Sequence, residues 1–417
     1  MLNGYTMDNF ERQSHQAFHG LGIAPGLLEI LAKLRYTLPT PIQCKAIPPA
    51  MEGKDVVGVA QTGTGKTLAF GIPMLQTLAR EKGKGLILLP TRELAIQVDE
   101  ELHKIGRPLG LKTAVLIGGV PMSPQLAALS KNPHIIIATP GRLLDHLQQK
   151  KLKLDQVKIL VLDEADRMLD MGFEPQIRQV FSHLPKARQT MLFSATIPSE
   201  IMEIASRYMK LPIRIEVALS GTTAEKISQE IFIVRREAKF GLLEKILRER
   251  AGSTLVFTRT KYGAKRVAHA VRTLGHLVSE IHGNRSLPQR RDALEGFKSG
   301  KYRVLVATDI AARGIDVRGI ELVVNFDLPS RSEDYVHRIG RTGRAGAEGH
   351  AISFALPEEH PEIRAIERLI RQTLRVSLPP GASPMDAVPA AVGPYAPSRG
   401  GGHRRSFGRR YHRGPRR

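Results

Sequence analysis

The sequence predicts an α/β chain of two tandem doubly wound parallel-sheet domains followed by a disordered basic tail. Three observations predict it. Short, nearly continuous apolar runs recur along the first 325 residues, and turn residues and then a helical pattern follow each run. Strands buried on both faces of a parallel sheet read this way, and their alternation with helices gives doubly wound units. A small, polar stretch near Leu219-Ser220-Gly221-Thr222 divides the runs into two sets. From Leu378-Pro379-Pro380-Gly381 onward the composition turns to Pro, Ala and Gly and then to Arg, which cannot bury enough apolar surface to order itself. The expected division is 1–218, a linker at 219–226, 227–377, and a tail at 378–417.

The first set of runs comprises Val56–Val59, Leu86–Leu89, Ala114–Ile117, Ile135–Ala138, Ile159–Leu162 and Met191–Phe193. The second set includes Leu255–Phe257, Val278–Ile281, Val304–Ala307 and Leu322–Val324. In open α/β sheets ligands sit beyond the carboxyl ends of the strands. The polar motifs of this chain fall at such ends.

The most telling motif follows the first run. Ala60-Gln61-Thr62-Gly63-Thr64-Gly65-Lys66-Thr67 lies between a strand and a helical segment. Backbone N–H groups of such a loop and of the following helix N-terminus point at an anion. Lys66 would reach the β/γ-phosphates of a nucleotide and the Thr67 hydroxyl would ligate Mg²⁺, the alternative for the loop read alone being a Gly-rich turn without a ligand. Ala60 stands where the general pattern has its first Gly. After Ile159–Leu162 comes Asp163-Glu164-Ala165-Asp166. Alone it is a helix N-terminal charge cluster. At the tip of an apolar strand and downstream of the Lys66 loop, it suits a Mg²⁺-nucleotide site, with Asp163 on the metal and Glu164 on the attacking water.

These two motifs and those around them resemble the DEAD-box RNA helicases of helicase superfamily 2, and within them the bacterial RhlE-type branch. The resemblance covers roughly residues 18–375 and implies two RecA-like domains. It implies ATP with Mg²⁺ as cofactors, RNA as partner, and RNA-stimulated ATP hydrolysis coupled to local duplex separation. Phe18 and Tyr36-Thr37-Leu38-Pro39-Thr40-Pro41-Ile42-Gln43 resemble the family's adenine-recognising motif. A Gln amide offers a donor and an acceptor to the adenine edge, and Phe18 can stack on the ring.

Thr91-Arg92, Gly118-Gly119 and Thr139-Pro140-Gly141-Arg142 each follow a strand. By resemblance they line a groove for single-stranded RNA, contacted through its backbone. The RNA-facing set by resemblance is thus Thr91, Arg92, Gly119, Thr139, Gly141 and Arg142 in the first half. Thr308, Asp309 and Arg290 belong to it in the second. Ser194 and Thr196 with Asp166, and His337, resemble a coupling network between the two halves. Gly314 and Asp316 face the nucleotide by the same resemblance. Arg341 and Arg344 resemble the fingers that cross an interdomain cleft to the γ-phosphate. The family's Gln-x-x-Arg motif falls on Leu287-Pro288-Gln289-Arg290, so Leu287 replaces its Gln.

Composition agrees with a polyanionic partner. The formal net charge is +22 over 417 residues. Eight arginines and no acid lie in 399–417, with Phe407 and Tyr411 among them, so most of the charge is elsewhere. Cys44 is the one cysteine, which leaves no disulfide within a chain and no Cys cluster for a metal. No run of 18 apolar residues and no charged-apolar-small leader is present. The expectation is a cytoplasmic monomer without a membrane partner, with ribonucleoprotein partners open. Two other readings of the same motifs remain: a DNA helicase or translocase of the same superfamily, and a non-enzymatic ATP-gated RNA clamp.

Overall fold

The computed structural model describes residues 18–60, 63–217, 227–312, 317, 319–343 and 348–377. Two seven-stranded sheets account for the architecture. The first contains β1 (Val56–Val59), β2 (Lys84–Leu88), β3 (Thr113–Leu116), β4 (Ile135–Ala138), β5 (Val157–Leu162), β6 (Gln189–Ser194) and β7 (Ile213–Glu216). Its order is β3-β4-β2-β5-β6-β1-β7 and every pairing is parallel. The second contains β8 (Ile227–Ile233), β9 (Thr254–Thr258), β10 (Val278–Ile281), β11 (Val304–Thr308), β12 (Leu322–Asn325), β13 (Gly349–Ala355) and β14 (Arg375–Ser377). Its order is β10-β11-β9-β12-β13-β8-β14, again parallel throughout.

Parallel strands need crossovers, and helices supply them on both faces. The period of two sorts each strand between two cores. In β5, Ile159 and Val161 face one core and Leu160 and Leu162 the other. In β2, Ile87 faces the first core while Leu86 and Leu88 face the second. That is why the central strands read as continuous apolar runs. Among the described residues four strands lie outside the expected runs, and one of them, β13, is central and largely buried, its apolar pattern interrupted by His350 and Ser353. At the sheet edge, β7 alternates Ile-Arg-Ile-Glu and only Ile215 is buried. Polar residues interrupt β8, and β14 is a three-residue edge.

The second sheet is pinned by a buried charge. Arg338, on the helix Ser332–Ile339, is 1% exposed. Its guanidinium donates to both Asp309 carboxylate oxygens, at 2.5 and 2.7 Å. It also donates to Asn325 Oδ1 at 3.2 Å and the Asp327 carbonyl at 2.6 Å, and lies over the Phe257 ring. One side chain thus joins the ends of β9, β11 and β12 to the helix. Arg338→Met should lower the stability of this domain by about 3 kcal/mol, because it leaves Asp309 without its partner. Urea unfolding followed by circular dichroism reads it; a loss under about 1 kcal/mol would show that the pair does not hold the sheet.

Candidate functional site

The carboxyl ends of the first sheet divide into two halves. On β1, β5 and β6 lie the Ala60–Thr67 loop, Asp163-Glu164 and Ser194-Ala195-Thr196. On the neighbouring strands β3, β4 and β2 lie Gly118-Gly119, Thr139 to Arg142, and Thr91-Arg92. The strand order therefore places the nucleotide motifs side by side and the expected RNA motifs side by side, with β2 and β5 as the seam.

The phosphate loop is built around two glycines. Gly63 and Gly65 have φ of 85° and 89°, which L side chains rarely adopt. A Cβ on Gly65 would also meet Gln43 Nε2 at 2.4 Å. Ala60 is buried, has no positive φ, and donates its N–H to the Ser194 carbonyl at 2.9 Å. No glycine is required there, which explains the departure from the general pattern. Gln61 and Thr62 lie outside the described residues. The helix Lys66–Arg80 starts at the end of this loop with Thr67 half-buried.

Gln43 braces the loop. Its Oε1 accepts from Thr40 N at 2.9 Å and its Nε2 donates to the Gly65 carbonyl at 2.9 Å. Each end of the amide keeps a second hydrogen-bonding valence, although the residue itself is 3% exposed. Phe18 is placed differently from the expectation. It is 3% exposed and packs in the first core, so its ring face is not open for stacking.

Around Lys66 the charges are buried. Its Nζ lies 3.5 Å from Asp163 Oδ1 and has no hydrogen-bond partner among the described residues. Burial pushes the Lys66 ammonium down, yet Asp163, Glu164 and Asp166 together hold it above its ordinary value. Burial pushes Asp163 up against the pull of Lys66, with Glu164 adding like-charge repulsion. The two directions compete within one pair. Three carboxylates facing one ammonium keep Lys66 protonated. Glu164 sits at φ 51°, a left-handed conformation that is strained for a side chain of this kind. Burial raises its carboxyl, but Arg167, Lys66 and Arg341 overcome that and bring it down to about 2. Arg167 Nη1 is 2.5 Å from Glu164 Oε2.

Asp166 joins two strand ends. Its Oδ2 accepts from Ala195 N at 3.1 Å, Thr196 N at 2.9 Å and Thr196 Oγ1 at 2.9 Å. Its own N–H donates to Ser194 Oγ at 3.2 Å. Asp166, Ser194 and Thr196 therefore form one hydrogen-bonded unit. The second sheet closes over it. Arg341 is 3% exposed and lines a pocket with His337, Glu164, Asp166, Arg167 and Asp170. Arg344, Gly314 and Asp316 lie outside the described residues.

The expected RNA residues fare unevenly. The Thr91 hydroxyl caps the helix Arg92–Gly106 by accepting from Leu94 N–H, and Thr139 stands at the N-cap position of Pro140–Gln148 without a side-chain cap hydrogen bond. Gly141 has open space where a side chain would stand, beside first-turn N–H groups. Arg92 lies against Gly119 so closely that a Cβ there would meet Nη1 at 1.9 Å. Arg142 is held by the Val120 carbonyl at 3.1 Å and by Asp145 at 3.3 Å. Thr308 ends β11. Two others are engaged within the protein: Asp309 by Arg338, and Arg290 by Glu93 at 2.8 Å from the other sheet. Leu287 packs on the first core, so the residue that replaces the family's Gln makes an apolar contact between the sheets. Sequence reasoning missed Glu93, Arg167 and the anchoring role of Arg338. The i,i+3 spacing of Glu164 and Arg167 was an available signal. Nothing local announces Glu93 with Arg290.

The residues fit a nucleotide: Gly65 has no room for a Cβ, and the buried Lys66 ammonium has no hydrogen-bond partner among the described residues. Among the described residues no group of three or more His, Cys, Asp or Glu could hold a metal unaided. A divalent ion at Asp163 would need oxygens from Thr67, water and phosphate.

Two parallel sheets that present a phosphate loop, an acidic strand tip and an arginine from the facing sheet define a nucleotide-driven helicase core. The DEAD/DEAH box helicase model matches residues 40–204, and the helicase conserved C-terminal domain matches 238–346. The chain is 44% identical over 360 residues to the DEAD-box ATP-dependent RNA helicase CshA of Bacillus cereus, covering 86% of this chain and 69% of that one. It is 45% identical over 356 residues to the ATP-dependent RNA helicase DbpA of Bacillus subtilis, covering 85% and 74%. Saccharomyces cerevisiae Dbp5, solved bound to RNA and ADP BeF3, superposes with a TM-score of 0.79 at 31% identity over 87% of this chain and 96% of that one. Mss116p, solved bound to ssRNA and AMP-PNP, gives 0.79 at 28% identity over 88% and 79%. The chain belongs to the DEAD-box family of ATP-dependent RNA helicases.

The Glu164 geometry has a pH signature. A carboxyl lowered from 4.5 to about 2 contributes stability that is present above 4.5 and lost as pH falls through about 2. The stability difference between the parent and Glu164→Gln should stay level from about pH 8 to about 5 and narrow only below. Urea titrations at several pH values read it; a gap that closes above about pH 5 would show that Glu164 is not held ionised.

Proposed function

We propose that this enzyme couples ATP hydrolysis to closure of the cleft between residues 1–218 and 227–377, and that closure separates short RNA duplexes locally. The observation that carries the reading is that Arg341, from the half with the second sheet, lines one pocket with Glu164, from the half with the first, and lowers its carboxyl. A finger placed across a cleft makes hydrolysis depend on closure. Such a finger contributes roughly 10³–10⁵ in rate in phosphoryl transfer.

The roles follow from the environments. Lys66 supplies a cation that its three carboxylates keep protonated, for the β/γ-phosphates. Glu164, held far below neutrality, is a weak proton acceptor and a good hydrogen-bond acceptor, so it orients the attacking water. Arg341, with Arg344, stabilises charge on the transferring group. Asp163 and Thr67 would hold Mg²⁺, whose chemistry is to neutralise charge on the β- and γ-oxygens. Gln43 offers its spare donor and acceptor to adenine, with Gly314 and Asp316 on the nucleotide from the second half. Asp166 ties this site to Ser194 and Thr196, and His337 shares their pocket.

RNA crosses Thr91, Arg92, Gly119, Thr139, Gly141 and Arg142 through its backbone, in keeping with a solved relative bound to RNA. Asp309 and Arg290 act on this surface from behind, by positioning. We place the chain in the RhlE-type branch on its motifs; the relatives compared carry the names CshA and DbpA. A monomer working in the cytoplasm, with ribonucleoprotein partners, completes the proposal. No helix among the described residues is long and apolar enough to cross a membrane.

Lys66→Ala should lose ATP affinity, whereas Glu164→Gln should bind ATP as the parent does and lose turnover. Fluorescent-nucleotide binding and phosphate release separate the two; parental hydrolysis by Glu164→Gln would remove the role given to Glu164. Arg341→Ala should lower RNA-stimulated kcat by about 10³. The deciding experiment is ATP hydrolysis with single-stranded RNA against DNA of equal length. Stimulation by RNA alone supports the reading. Equal stimulation points to a general nucleic-acid motor, and no hydrolysis to a clamp.

A further inference from the structure

In a parallel sheet all strands enter from one edge, so the segments that precede them gather there. In the first sheet the neighbours β3, β4, β2 and β5 bring four such segments together, at the end away from the nucleotide and RNA motifs. Their charge is one-sided. Lys112 precedes β3 and Lys131 precedes β4. Arg80 and Lys82 precede β2, which starts at Lys84. Lys150, Lys151 and Lys153 precede β5, which carries Lys158. The acids among these segments are Glu81 and Asp155.

The segments shape a groove lined by residues 78–84, 132–134 and 155–158. Lys158 crosses it, its Nζ on Glu81 at 2.6 Å and its stem so close to Gly83 that a Cβ there would meet it at 2.7 Å. Lys84 Nζ donates to Asn132 Oδ1 at 2.9 Å across the same groove. Among the described residues no ion pair engages Lys82, Lys112, Lys131, Lys150, Lys151 or Lys153, and all six are exposed. Helix dipoles favour cations at helix C-termini, which accounts for Arg80 and Lys131. It does not account for Lys112, Lys151 and Lys153 in strand-entry loops. Nor is the whole rim basic: the entry to β1 carries Glu52 and Asp55 beside Lys54.

We propose that this rim is a second RNA-backbone surface, which holds a segment of the same RNA that lies outside the cleft. The inference rests on the RNA-helicase reading above. Four neighbouring strands span about 15 Å, and a row of unpaired cations over that width matches a phosphate chain. The groove carries no aromatic anchor of the kind that centres protein interfaces. RNA flanking a duplex would be held on the rim while the cleft acts on the duplex, which keeps the enzyme on a long substrate between turnovers.

The test uses the full chain and the triple variant Lys150→Ala/Lys151→Ala/Lys153→Ala, all exposed positions outside the catalytic site. Binding to RNAs of about 10 and about 40 nucleotides is titrated against salt. The slope of log affinity against log salt should fall by about 2 for the long RNA and stay unchanged for the short one. Hydrolysis of ATP stimulated by the short RNA should stay at the parental level. An unchanged slope with the long RNA, or equal loss with both, overturns the rim. Failure of the short RNA to stimulate the parent would instead overturn the helicase reading, so the two failures are distinguishable.

Discussion

Burial of charge at the carboxyl edge of the first sheet is the constraint on which the rest of this structure depends. Lys66, Asp163, Glu164, Asp166 and Arg167 are all nearly withdrawn from solvent, and Arg341 joins them from the other sheet. An isolated buried ion is costly, so each must have partners. The partners come from different parts of the chain: the phosphate loop, the strand tip, the helix that follows it, and the second sheet. Closure of the second sheet over the first is therefore part of how these charges are compensated. A bound triphosphate adds negative charge beside Lys66 and Arg341, and changes that balance directly.

The sheet order explains why two ligands can share one edge without sharing residues. The loops proposed for the nucleotide follow β1, β6 and β5, and those proposed for the RNA backbone follow β2, β4 and β3. Signals between them must cross the β2–β5 seam or pass through the second sheet. Asp166 holds β5 to β6 within the nucleotide half. Glu93, one residue beyond Arg92, reaches out of the other half to Arg290. Both halves thus contact the second sheet, which makes the cleft a common element that either ligand can bias.

Most of the site was legible in the sequence because its chemistry is local. A glycine loop between strand and helix, and acids at a strand tip, announce themselves over a few residues. Most central strands were legible for the same reason, since burial on both faces removes polar residues; the central β13 was not, because His350 and Ser353 interrupt its apolar run. Edge strands such as β7 and β14 were not, because one exposed face dilutes the signal. Long-range pairing was also invisible. Arg290 reads as a free cation until Glu93 faces it, and Asp309 reads as a free acid until Arg338 does. Phe18 shows a third limit: an aromatic beside a binding motif can be core, and only packing decides.

Arg338 and Arg341 show how neighbouring arginines acquire different work. Three residues apart on a continued helix they would share a face. The helix ends at Ile339, however, and the chain turns at Gly340. Arg338 stays on Asp309, while Arg341, its Nε on the His337 carbonyl at 3.1 Å, lines the pocket that Glu164 shares. The first fixes the backbone from which the second projects, and a finger aimed from a fixed base loses less freedom when it meets its target. The same anchor touches the end of β11, where Thr308 and Asp309 stand on the expected RNA side. A short physical chain therefore runs from that surface through Arg338 to the finger. Spatial contiguity alone is not coupling. On the proposed mechanism, the cleft that opens and closes is the two-state element through which this chain would act.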